Sequence, residues 1–177
     1  MGVAGAIYSG GNKMKDNIIL IGMPGAGKST IGVLLAKALT YNFLDTDISI
    51  QRREEKKLYE IINERGLEEF INIENSVLSR LVVDGCVIAT GGSAVYGKEA
   101  MTHLKSIGKV VYIKLSCDEI IKRVKNIKTR GIAMKKGNTI EDIYRERVPL
   151  YERYADIIID AEGTTIEECV EMIIDRL

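Results

Sequence analysis

No stretch of this chain approaches the roughly 18 to 20 consecutive apolar residues that a bilayer-spanning helix needs, and its first residues lack the charged-then-apolar order of a secretory signal. These absences predict a cytoplasmic protein with no membrane partner. There is no excess charge of either sign: Lys plus Arg and Asp plus Glu number 25 each. Without a net field, nucleic acid is excluded as a main partner. Cysteine is scarce and unpaired, with Cys86, Cys117 and Cys169 far apart and no C-x-x-C among them. That pattern fits reduced core thiols rather than a disulfide framework, with Cys86 and Cys117 in or beside strands. The single histidine, His103, falls in a helical stretch and reads as a surface residue. No cluster of His and Cys resembles a structural metal site.

What remains is a chain of 177 residues, 46% hydrophobic, enough for one substantial core. Residues 1–13 are Gly-rich and aperiodic, and read as a disordered extension ahead of a plausible natural start at Met14. Ala6 stands where an N-myristoylation signal has Ser or Thr. One domain over 14–177 is expected, with no internal repeat.

Its most informative segment is Gly22-Met23-Pro24-Gly25-Ala26-Gly27-Lys28-Ser29, a G-x-x-x-x-G-K-S loop directly after the apolar run Asn17–Ile21. A phosphate cradle needs a strand that ends abruptly, a turn whose N–H groups converge, and a helix whose positive end faces the anion. Gly22, Gly25 and Gly27 permit the turn, Lys28 reaches terminal phosphates, and the Ser29 hydroxyl suits Mg²⁺. Ile31, Leu34, Leu35, Ala38 and Leu39 then recur at helical spacing over 29–40.

Downstream, a short strand at 41–44 leads to Asp45 and Asp47, and a charged stretch, 51–57, suits a solvated helix face. Helical spacing at Leu58, Ile61 and Ile62 breaks at Gly66 and resumes from Phe70 to Leu81, so two short helices are expected. The runs at 86–89 and 109–115 read as strands buried on two faces. Thr139 with Asp142 reads as a helix N-cap, and a last strand at 157–159 precedes a helix over 165–176. Alternation of this kind predicts a parallel sheet covered by helices, with ligands at the carboxyl ends of its strands.

Several groups suit phosphoryl transfer, which depends on positioning and charge neutralisation. Of Asp45 and Asp47, one could hold Mg²⁺ through water and the other orient an acceptor hydroxyl; the pair equally suits an Asx turn or helix N-cap. Gly91 and Gly92 end a strand, where backbone N–H groups could approach a substrate or simply form a turn. Residues 126–138, basic and carrying two glycines, suit a mobile loop. Arg130 within it and Arg147 in the next helix could clamp anions, or be solvated surface side chains.

From Asp16 to Leu177 the chain resembles shikimate kinases, small members of the nucleoside monophosphate kinase superfamily. The resemblance rests on Gly22–Ser29, Phe43-Leu44-Asp45-Thr46-Asp47, Gly66 with Glu69-Phe70 and Glu74, Thr90-Gly91-Gly92, Arg130, and Arg147-Val148-Pro149-Leu150-Tyr151. It implies a P-loop three-layer α/β fold with a five-stranded parallel sheet of order 2-3-1-4-5. It also implies acceptor-binding helices over about 46–82 and a lid over about 126–138. By the same resemblance ATP and Mg²⁺ are bound through Gly22, Gly25, Ala26, Gly27, Lys28, Ser29 and Thr30, with Ser29 and Asp45 serving the metal. Arg123 would stack on adenine, and Arg130 would reach the transferring phosphoryl group with Lys28. Asp47, Gly91, Gly92, Ser93 and Arg147 would bind the acceptor, Asp47 at its hydroxyls and Arg147 at its carboxylate. The implied reaction is phosphorylation of shikimate at its 3-hydroxyl by a monomer.

Three departures bear on the acceptor. Ile71 replaces the arginine that follows Phe in the family's Phe-Arg-x-x-Glu motif and grips the shikimate carboxylate. One charge-assisted hydrogen bond is worth on the order of 1.5 to 3 kcal/mol, or about tenfold to more than a hundredfold in affinity. Ser93 replaces the third glycine of the family pattern, and Gly131 replaces the usual Pro after the lid arginine, which would loosen that hinge. A kinase for another hydroxyl metabolite, such as a sugar acid or hydroxy amino acid, and a non-catalytic nucleotide-binding regulator are the alternative readings.

Overall fold

The computed structural model describes residues 16–125 and 131–177. The expected extension at 1–13, the start at Met14 and the lid arginine Arg130 lie outside the described residues. In chain order the elements are β1 (Asn17–Ile21), α1 (Lys28–Leu39), β2 (Asn42–Asp45), α2 (Thr46–Glu54), α3 (Leu58–Arg65), α4 (Leu67–Leu78) and β3 (Cys86–Ala89). A 3-10 turn (Ala94–Tyr96) leads to α5 (Lys98–Ile107), β4 (Gly108–Lys114), α6 (Cys117–Lys125), α7 (Ile140–Tyr154), β5 (Ile157–Asp160) and α8 (Ile166–Ile174).

All strand pairs are parallel, in the order β2-β3-β1-β4-β5. Parallel strands covered on both faces must be apolar throughout, and every residue of β1 and β3 is buried. Crossover helices supply the cover, with α1 against α8, α4 against α5 and α6 against α7. The main core gathers Ile19, Leu20 and Ile21 with Leu35, Val87, Ile88, Val110 and Val111. A second, smaller cluster joins Ile50, Ile61, Phe70 and Ile73 of α2–α4 to Ala133. Helices α2–α4 therefore carry their own apolar centre, to which the segment after residue 130 contributes.

Register decides what the fold can do. Leu20 pairs with Ala89, and Ala89 pairs with Asp45. The loops leaving β1, β2 and β3 consequently start at one level on one edge of the sheet.

The expected boundaries hold within a few residues, with two differences. The helix expected across the charged stretch 51–57 begins earlier, at Thr46, because the Asp45 carboxylate caps it, and ends where Glu55 turns left-handed (φ 55°). Cys86 and Cys169 are buried free thiols as expected, but Cys117 opens α6 at partial exposure and is not a core residue. His103 lies half-buried on α5, with its Nε2 2.7 Å from the Leu81 carbonyl oxygen. Among the described residues, no helix is long and apolar enough to cross a membrane.

At the opposite edge of the sheet, buried Asn17 donates through Nδ2 to the carbonyls of Val83 and Ile107, both at 2.9 Å, and accepts from the Cys86 N–H at 3.0 Å. Gly108 pairs with Asn17, and a Cβ there would overlap the fixed Asn17 backbone. Gly108→Ala should therefore lower the free energy of unfolding by about 1 to 3 kcal/mol, read by urea denaturation. Ligand binding by the folded fraction should be unchanged, since this edge is remote from the cleft described next.

Candidate active site

A cleft of about 700 Å³ opens over the carboxyl ends of β1, β2 and β3. One wall is the loop after β1. Gly22 (φ 145°) fits against the carbonyl of Ile113 on β4, where a Cβ would come within 2.7 Å of the oxygen. Gly25 (φ 82°) faces Val124 and Arg123 of α6. The loop closes with the Ala26 N–H donating to Met23 O at 3.1 Å, and Gly27 (φ 92°) opens α1. Lys28, 8% exposed, folds back so that Nζ donates to the carbonyls of Gly22 at 2.7 Å and Met23 at 2.9 Å. A buried ammonium held at the start of a helix, beside a glycine turn, has the chemistry that suits phosphate.

Asp45 faces this wall from the end of β2. Its Oδ2 accepts from the Ser29 hydroxyl at 2.7 Å, and its Oδ1 accepts from the Asp47 N–H at 3.0 Å. The cap reading of Asp45 therefore holds, and the same carboxylate is joined to Ser29 of the loop. Two hard oxygens beside a phosphate cradle suit Mg²⁺, which commonly keeps waters and substrate oxygens as its other ligands. Among the described residues no group of three or more His, Cys, Asp or Glu could hold a metal by itself.

The other wall is the Gly91–Gly92 segment after β3. Thr90 ties it to β1 through N–H and hydroxyl donors to Leu20 O, at 3.1 and 2.9 Å. The buried Thr46 hydroxyl accepts from the Gly91 N–H at 3.3 Å. Both glycines are compelled by close approach. A Cβ on Gly91 would lie 2.5 Å from Glu74 Oε1 and 2.7 Å from Asp47 Oδ1, and one on Gly92 would lie 2.8 Å from Pro24 and 3.2 Å from Arg147 Nη1.

Arg147 is the largest fully buried side chain, only 1% exposed, so the surface reading of this residue is excluded. Its Nε donates to the Tyr96 hydroxyl at 3.1 Å, its Nη2 donates to the Ala133 carbonyl, and its guanidinium carbon lies 5.2 Å from the Tyr96 ring centroid. Nη1 is buried without a hydrogen-bond partner. Among the described residues this buried guanidinium is hydrogen-bonded only to neutral groups and keeps Nη1 without a partner, an arrangement that suits an anion. One turn along α7, the Tyr151 hydroxyl donates to Gly92 O at 2.6 Å, which fixes the glycine segment to the helix carrying Arg147.

Glu74 is buried on α4, with the Ser93 hydroxyl donating to its Oε2 at 2.5 Å and its Oε1 unpartnered. Burial pushes its pKa up to about 8, and the neighbouring Asp47 carboxylate adds to the shift; Ser93, Arg147 and Lys28 oppose it.

The structure thus brings together Gly25, Gly27, Lys28, Ser29, Thr30, Asp45, Asp47, Gly91, Gly92, Ser93 and Arg147 around one cleft; Gly22 and Ala26 belong to the same loop but face away from it, Gly22 packing on Ile113 and Ala26 being buried. Arg123 sits beside Gly25, its Nε donating to Glu119 at 2.7 Å. Ile71 is different: it packs against the second apolar cluster. Gly131 does more than loosen a hinge, since a Cβ there would lie 2.6 Å from the Tyr59 backbone nitrogen at the start of α3. The cluster requires a residue without a side chain at that point. Sequence reasoning gave no role to Glu74, Thr46, Tyr96 or Tyr151. Two of these had a signal: Glu74 interrupts the apolar face of α4, and Tyr151 follows Arg147 by four residues on one helix face. Tyr96 had none.

The family model for shikimate kinase matches residues 24–177. The chain belongs to the shikimate kinase family. It is 35% identical to the shikimate kinase of Francisella tularensis subsp. holarctica, over 89% of this chain and 92% of that one. Against the shikimate kinase of Thiobacillus denitrificans identity is 32%, over 92% and 91%. Among solved structures, shikimate kinase from Acinetobacter baumannii in complex with shikimate superposes with a TM-score of 0.85 at 29% identity, covering 93% of this chain and 94% of that one. The sheet order and the P-loop fold implied by the sequence are those of the family.

The elevated pKa of Glu74 makes stability depend on pH. The folded protein retains a proton that the unfolded chain releases above its ordinary value of 4.5. Stability from this group is complete below that value and falls as pH rises towards about 8. Glu74→Gln should flatten the change in urea midpoint between these two pH values.

Proposed function

We propose that this protein transfers the γ-phosphoryl group of ATP to the 3-hydroxyl of shikimate. The observation that carries this reading is the open Nη1 of buried Arg147 beside Gly92, on the glycine segment that also meets Pro24 of the phosphate loop and, at Gly91, Asp47. One cleft thus offers a cation for the carboxylate of a hydroxy acid, a carboxylate for its hydroxyl and a receptor for polyphosphate.

In this mechanism the loop N–H groups and Lys28 hold the β- and γ-phosphates and offset the charge that develops between them. Ser29 and Asp45 would hold Mg²⁺, which when bound neutralises phosphate oxygens. Arg147 orients the acceptor through its carboxylate, and Gly91 and Gly92 leave room for the ring. Asp47 accepts a hydrogen bond from the reacting hydroxyl and takes its proton as the oxygen attacks phosphorus. Arg123 sits at the outer side of the loop, where an adenine would lie against it, and the lid containing Arg130 would complete the charge compensation.

With Ile71 packed among apolar residues, the acceptor carboxylate depends on one described arginine instead of the family's two. This supports weaker shikimate binding than the family pattern gives, and keeps a hydroxy acid of different shape as the second reading.

Coupled ADP release should show Mg-ATP-dependent turnover of shikimate and little with sugar acids, homoserine or nucleoside monophosphates; turnover of another acceptor with shikimate inert would replace the substrate assignment. Lys28→Ala should reduce transfer by at least about a hundredfold through loss of phosphate charge compensation. Asp47→Asn should lower kcat by about 10² to 10⁴ while leaving ATP affinity within a few-fold; an unchanged kcat removes Asp47 from the acceptor site.

A further inference from the structure

Glu74 and Arg147 are both 1% exposed, and each points an atom with no hydrogen-bond partner among the described residues at one of two adjacent glycines: Glu74 Oε1 at Gly91 and Arg147 Nη1 at Gly92. Burial keeps the Glu74 carboxyl protonated up to about pH 8, yet contact with the guanidinium would favour its ionised form and an ion pair; the hydrogen bond that Glu74 makes among the described residues is to Ser93 instead. The Ser93 hydroxyl donates to Oε2 at 2.5 Å. Ser93 is itself buried and held at the start of the Ala94–Tyr96 turn.

The exchange of residues around this contact is reciprocal. An arginine at position 71 would stand one turn before Glu74 on α4, within reach of its carboxylate. In this chain Ile71 supplies no charge, and Ser93 supplies the hydrogen bond that a glycine cannot. We propose that Ser93 is a positioning residue for the acceptor site, tethering Glu74 so that it does not pair with Arg147 and close the anion site. The KM readout below rests on the shikimate kinase reading, whereas the ionisation readout does not.

Asp47 from α2, Arg147 from α7 and Lys28 from α1 are the charged groups acting on Glu74, while Glu99 of α5 reaches Asn75 instead. Removing the Ser93 hydroxyl has two opposite consequences that an experiment can separate. If Glu74 stays in place, it loses a bond that favours the carboxylate, and its pKa rises. If it swings onto Arg147, its pKa falls, because the guanidinium stabilises the charged form.

The test is Ser93→Ala, with Ser93→Gly as a second variant should the first fail to fold. The Glu74 side-chain carboxyl is titrated by ¹³C NMR, its resonance identified by its loss in Glu74→Gln. The midpoint should fall on removal of the hydroxyl; a midpoint that rises or stays overturns the tether. In steady-state assays the KM for shikimate should rise about tenfold or more with kcat changed less. In the Glu74→Gln background the same Ser93 substitution should change KM less than about threefold, since an amide cannot form the competing ion pair. A KM rise that persists there overturns the proposal. Absence of shikimate turnover by the unmodified protein would instead refute the substrate assignment, and the NMR midpoint would still decide the tether.

Discussion

Leu20, Ala89 and Asp45 lie side by side across three parallel strands, and the polar groups of the cleft hang from that line. Parallel pairing fixes the relative height of strand ends, so chain segments some 20 to 70 residues apart in sequence emerge together. From β1 comes the phosphate loop, from β2 the Asp45–Asp47 corner, and from β3 the glycine wall. Gly22 can leave β1 abruptly because it has no Cβ to meet Ile113 on β4. The apolar strands thus serve chemistry indirectly, as a rigid ruler for loops that have little apolar packing of their own.

The cleft is expensive to build in the terms that usually stabilise a protein. Lys28, Glu74 and Arg147 are all buried, and each keeps ionisable groups away from water. Arg147 is satisfied by neutral partners, Tyr96 and the Ala133 carbonyl, with Nη1 left open. This distribution fits a site whose charge balance is completed by ligands. Two separate apolar clusters offset the cost, the larger around the sheet and the smaller among α2–α4 and Ala133. Because Ala133 joins the smaller cluster while its carbonyl binds Arg147, the described part of the 126–138 segment is coupled to the wall that carries Arg147.

The departures from the family pattern make sense together once contacts are visible. Ile71 contributes to the smaller cluster, so its gain in apolar packing accompanies its loss of charge. Ser93 bonds the glutamate that an arginine at 71 would have faced. Gly131 admits the backbone of Tyr59, where the Cβ of a proline would not fit. In each case a local sequence change is matched by a partner far along the chain.

Much of this was legible from the residues. The phosphate loop, its strand and its helix are contiguous, so their geometry is set by local sterics and periodicity. The capping residues Thr139 and Asp142 also announce themselves within one turn. Asp45 was half legible: its acidity at a strand end suggested either a cap or a metal role, and only the 2.7 Å contact with Ser29 shows that it serves the cleft as well as α2. Arg147 in the sequence was one charged residue among many, because burial is a property of what packs around a side chain. Tyr96 and the Ala133 carbonyl, which surround it, lie 51 and 14 residues away. The sequence by itself determined the alternating parallel fold and the strand–loop–helix geometry of residues 17–39, since these follow from short-range pattern and backbone sterics. The tertiary structure alone decided the acceptor side, because the pairing of Glu74 with Ser93 and the open Arg147 guanidinium depend on contacts between segments that sequence spacing does not relate.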